Sequence, residues 1–106
     1  MAQAQRKQMA TAAAGIDREL LSAIRSKLEA IPEVLSIAYR IDDGLISFWI
    51  GVLDCDHSAR KSIYGVEDSF ATQFGIQLEF NLVTLALGEN LRRYVSTAAP
   101  LYQRSA

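Results

Sequence analysis

The densest run of chemically capable side chains is Asp54-Cys55-Asp56-His57. Cysteine and histidine are zinc ligands, and carboxylates can complete a tetrahedral set. Consecutive residues seldom converge on one ion, however, and the chain holds a single Cys and a single His. The competing reading makes Asp56 the N-cap of a helix, with acidic side chains at its positive end. On that reading no metal is bound, and His57 as a ligand or general base is the minor alternative. Asp42-Asp43 is a carboxylate pair by composition and a turn by position, because a tight turn calls for short polar side chains. Arg92, Arg93, Tyr94, Tyr102 and Arg104 mix positive charge with aromatic rings that could stack on RNA bases. Without an RNP-type strand signature they read instead as a C-terminal segment packing its tyrosines on the body. Glu67 and Asp68, with Arg60 and Lys61, form the solvated face of a helix. There is no Gly-rich phosphate loop, Gly-x-Ser-x-Gly elbow or Cys-x-x-Cys pair. No catalytic residue and no cofactor is expected.

The elements that must position these residues are organised around a hairpin. Leu35, Ile37, Tyr39 and Ile41 alternate with small or polar residues, as do Ile46, Phe48, Ile50 and Val52, which is strand periodicity twice. Asp43-Gly44 between them suits a two-residue type I′ turn, where both central residues take positive φ. That turn pairs Ile41 with Ile46, Tyr39 with Phe48, Ile37 with Ile50 and Leu35 with Val52. The turn and the apolar pattern thus specify one register. The other face pairs Ala38 with Trp49, Ser36 with Gly51 and Arg40 with Ser47, leaving one indole on a floor of small side chains.

Ahead of the hairpin, Met1 to Gly15 is an Ala- and Gln-rich arm, helical or flexible. Ile16, Leu20, Ile24 and Leu28 then recur every four residues, predicting an amphipathic helix that Asp17 caps and Pro32 ends. After the hairpin, Ala59, Ile63, Val66, Phe70 and Phe74 predict a second helix, capped by Asp56 and stopped by Gly75. Gly65 inside it suggests close approach to another backbone. Ile76, Leu78, Phe80 and Leu82 alternate as a third strand, and the apolar parity then shifts to Val83, Leu85 and Leu87, predicting a bulge or strand end. Leu91 to Val95 is a short helix before an irregular tail. The expected architecture is a two-layer α/β (α+β) domain over residues 16–106. Its order is helix-strand-strand-helix-strand, with a three-stranded mixed sheet and two helices on one face.

A chain of 106 residues with a net charge of −1 can bury a core without staples and carries no polyelectrolyte-binding block. Nucleic acid is therefore not indicated. One cysteine excludes an internal disulfide and suits a reducing, cytoplasmic setting. No apolar run reaches the ~20 residues of a membrane span.

From Lys27 through Arg104 the chain resembles the small nucleotidyltransferase domains of the polymerase-beta-like superfamily. The likeness lies in a helix ending in LEAIPEV, a hairpin ending in GVLD, a second helix, the strand LEFNLVTL and a closing LRRYVSTAAPLYQR. That resemblance implies a Gly-Ser at the turn and carboxylates on the following strands that hold Mg²⁺ and a nucleotide. This chain has Asp43-Gly44 there, no carboxylate from Leu45 to Leu53, and only Glu79 near the third position. A member of that family with this sequence is catalytically silent, binding a nucleotide or metal at most through Asp54, Asp56, His57 and Glu79. The order of elements is also similar to the cytoplasmic dimerisation domains of cation-efflux transporters. The function expected is a non-catalytic protein-interaction or dimerisation domain, as a homo-oligomer or with another protein. Trp49, Ala38, Val34, Leu53 and Arg40 are the expected interface. Whether the chain's own tail or N-terminal helix, or a second subunit, covers Trp49 is left open by the sequence.

Overall fold

A computed structural model describes residues 18–53, 56–86 and 89–104. The N-terminal arm and Asp17 lie outside that range, as do Asp54 and Cys55. Helix α1 occupies residues 18–29 and buries Leu20, Leu21, Ile24 and Leu28, the stripe set by their four-residue spacing. Strands β1 (Val34–Asp42) and β2 (Leu45–Val52) form the hairpin. Asp43 and Gly44 at its tip have φ of 45° and 82°, the left-handed pair that a type I′ turn demands. Helix α2 (His57–Phe74) begins at Asp56, whose carboxylate accepts the Ala59 N–H at 2.8 Å. It ends at Gly75, which is left-handed at φ 61°. Strand β3 (Gln77–Thr84) then runs parallel to β2.

The sheet has four strands among the described residues, not three, in the order β3-β2-β1-β4. The additional strand is the C-terminal segment, β4 (Ala99–Gln103), antiparallel to β1. Pro100 and the absence of alternation hid it in the sequence, and both are tolerated because β4 is an edge strand.

Both helices pack on one face of the sheet. Their apolar stripes join Val34, Ile37, Ile46, Phe48, Ile50, Val52 and Phe80 in the main core. Phe48 lies at its centre, fully buried, with the Phe80 ring 5.3 Å away edge-on and Tyr39 at 6.5 Å. Burial of each such side chain stabilises by about 1.5–3 kcal/mol.

The hairpin register is as the turn predicts from Asp42↔Leu45 down to Ile37↔Ile50 and Ser36↔Gly51. It then shifts, and Val52 pairs with Val34 instead of Leu35. An extra residue in β1 forms a bulge that turns Val34 into the core and Leu35 out of it. Arg104 holds this irregularity. Its backbone N–H donates to the Leu35 carbonyl (2.8 Å) and its Nε to the Val34 carbonyl (2.9 Å). Its Nη2 reaches the Glu29 and Ile31 carbonyls beyond α1, at 2.9 and 3.2 Å. One guanidinium thereby satisfies carbonyls that a helix end and a bulge would otherwise leave unpaired.

Two local expectations are corrected. Gly65 is exposed, and a Cβ there would meet nothing within 4 Å; the close approach is at Gly51 instead. The parity shift after Leu82 is no bulge, because β3 stays in register with β2 to Val52↔Thr84. The apolar side chains simply move to the opposite face of the sheet, where Val83 and Leu85 join a second, smaller cluster.

Candidate functional site

β3 lies at one edge of the sheet and β4 at the other. The main core fills the helix-covered face, so the chain between Thr84 and Ala99 crosses from edge to edge over the opposite, outer face. Leu85 and Leu91, buried to 3% and 5% exposure, pack there on Ala38, with Val83, Trp49 and Ala98 around them. The chain's own tail is thus one cover of the Trp49 face. The fit is tightest at Gly51, where an added Cβ would lie 2.5 Å from Leu85 Cδ1 and 2.6 Å from Ser36 Oγ. Small residues at Ser36, Ala38 and Gly51 are what admit the crossing segment.

Two polar groups fix this segment. Asn90 caps the 3₁₀ turn η1 (Leu91–Arg93), its Oδ1 accepting the Arg92 N–H at 2.9 Å. Glu89 accepts the Ala86 N–H at 2.6 Å, the Tyr94 hydroxyl at 2.9 Å and Arg93 Nη1 at 3.2 Å. The Ala86 and Tyr94 bonds hold its carboxyl below the ordinary carboxylate range, and the same bond raises the Tyr94 phenol.

The predicted interface residues separate. Val34 belongs to the main core through the bulge, and Ala38 is buried beneath Leu85 and Leu91. Leu53 is 44% exposed at the far end of the hairpin, beside a depression it lines with Pro32, Glu33 and Leu35. Trp49 and Arg40 remain together. Trp49 is half-buried, and the Arg40 guanidinium stands over its ring at 5.4 Å from the centroid. Arg40 also bonds Asp42 Oδ2 at 2.6 Å and Thr97 Oγ1 at 2.8 Å. It thus ties the indole to both the hairpin end and the crossing segment. Beside the indole, Asn81 of β3 donates to the Phe48 carbonyl at 3.2 Å.

The residues proposed as ligands are not gathered among the described residues. Asp56 serves as the α2 cap, His57 is the exposed first residue of that helix, and Glu79 is exposed on the outer face of β3 opposite Ser47. No three His, Cys, Asp or Glu side chains among the described residues form a metal-binding group. Glu67 is the perturbed carboxyl of this region. It accepts the Phe80 N–H at 2.7 Å. Its burial raises its pKa despite that bond, and the nearby Asp68 and Glu79 charges add to the rise.

No helix among the described residues is long and apolar enough to cross a membrane. The chain matches no family model, no curated protein and no solved structure in comparison with known proteins.

Proposed function

We propose that this domain acts by protein contact without catalysis, as a homodimer whose contact surface is the rim formed by Trp49 and Arg40. The observation that carries the reading is the half-buried indole, left at the edge of an outer face that the crossing segment otherwise covers. A large flat aromatic under a guanidinium is the kind of side chain that dominates association energetics. The Arg40 charge is already matched by Asp42. Two copies related by a two-fold axis therefore bring matched pairs together, not like charges.

Sedimentation equilibrium over a wide concentration range tests this. The native chain associates reversibly to a dimer, and Trp49→Arg weakens that association about tenfold or more while the fold persists, since Trp49 stands outside the main core. A strict monomer, or a dimer indifferent to Trp49→Arg, overturns the proposal.

A further inference from the structure

The crossing segment does not fill the whole outer face. Between it and strands β1 and β4 lies a cavity of about 200 Å³. Its walls are largely apolar, from Ala38, Leu91, Val95, Ala98 and Pro100. A cavity of about 150 Å³ accepts benzene, so this one has room for a six-membered ring and a small head group.

The polar groups around it share one property. Ser36 lines it at 4% exposure, and its buried Oγ has no hydrogen-bond partner. Asn90 lines it with its Oδ1 already taken by the Arg92 N–H, which leaves the amide NH₂ as its unused group. The Arg92 guanidinium and the Gln103 amide also border it and make no hydrogen bond or ion pair with the described residues. No Asp or Glu lines the cavity. Unused groups there are thus mostly donors, one of them permanently cationic, in a protein whose net charge is −1. An unsatisfied buried hydroxyl calls for a partner, and a carboxylate supplies acceptors to the hydroxyl, the amides and the guanidinium together.

We infer that this cavity is a binding site for a small organic anion: a compact apolar body against Ala38, Leu91 and Val95, with its carboxylate held by Arg92 and Ser36. This goes beyond the proposed protein contact and does not depend on it.

The test is a nitrogen-15 NMR titration of the full chain with sodium benzoate. Benzyl alcohol and benzylammonium serve as probes with the same ring and a neutral or cationic head. Benzoate should produce saturable shifts at the amides of Ala38, Leu91, Arg92 and Gln103, and bind about tenfold or more tightly than benzylammonium. Arg92→Gln, at an exposed position, should weaken benzoate about fivefold or more and leave benzyl alcohol unchanged. Ala98→Leu, which fills the cavity, should abolish both. If that variant does not fold, the Arg92→Gln comparison decides alone. A cavity that holds water only gives no saturable shift up to about 20 mM benzoate. That result, equal binding of all three probes, or benzoate binding undiminished in Arg92→Gln overturns the inference.

Discussion

The crossing of the outer face is most sharply tested where it is tightest. In Gly51→Ala the new methyl would stand 2.5 Å from Leu85 Cδ1 and 2.6 Å from Ser36 Oγ. The Ser36 hydroxyl can turn to another staggered position. Leu85 is 3% exposed within a small cluster, and its tip must retreat by about 1 Å for ordinary van der Waals contact, with little free space to enter. Overpacking of this kind costs about 1–3 kcal/mol, offset in part by the lower chain entropy of unfolded Ala relative to Gly. Leu85→Ala alone should cost about 2 kcal/mol, the low end for a buried leucine because the cluster is small. The double variant decides the matter. With Leu85 truncated the Gly51→Ala methyl has room, so the pair should cost about 1 kcal/mol less than the sum of the singles. Urea unfolding with unchanged m-values measures all three. Additivity within about 0.5 kcal/mol would mean that Leu85 does not lie over Gly51, and the covered outer face would be refuted.

Arg104→Ala removes guanidinium bonds to the carbonyls of Val34, Glu29 and Ile31 and should cost about 2–4 kcal/mol in urea unfolding. Arg104→Lys should recover less than half, because one ammonium cannot reproduce the planar fork; a loss below about 0.5 kcal/mol would show that water serves these carbonyls equally well. Glu67 has a folded-state pKa above its ordinary value because of burial. The folded state therefore holds its proton more tightly than the unfolded chain, and stability declines as pH rises from the ordinary carboxylate value through the raised one. Glu67→Gln keeps an acceptor for the Phe80 N–H and should lose this decline, so its advantage grows with pH across that window. Parallel stability profiles for the two proteins would contradict the assignment.

The hairpin was legible because two independent signals agree: Asp43-Gly44 fixes the turn, and the matched apolar residues fix the register. The α2 caps were legible for the same reason, Asp56 and Gly75 being local chemistry. The Val34 bulge was not, because it is supported by Arg104, 70 residues away in the chain. Strand β4 carries Pro100 and no alternation, and its pairing depends on β1 being an available edge. Once β4 is placed across the sheet from β3, Leu85, Leu91, Val95 and Ala98 become the lining of the outer face. Read in sequence, they look like an irregular tail. The row joining Ala38 to Trp49 and Ser36 to Gly51 was legible from the register. The cavity beside it was not, since it is bounded by three elements whose proximity no local spacing encodes.

Trp49 is the chain's single tryptophan, so its emission reports on the proposed contact surface alone. The measurement that bears most directly on the account is Trp49 fluorescence and acrylamide quenching as protein concentration is raised through the range where solution mass changes. The proposed homodimer predicts a blue shift and a fall in quenching that follow the mass from monomer to dimer. An emission that stays constant while the mass doubles would place the contact elsewhere on the molecule, and the Trp49–Arg40 surface would have to be abandoned.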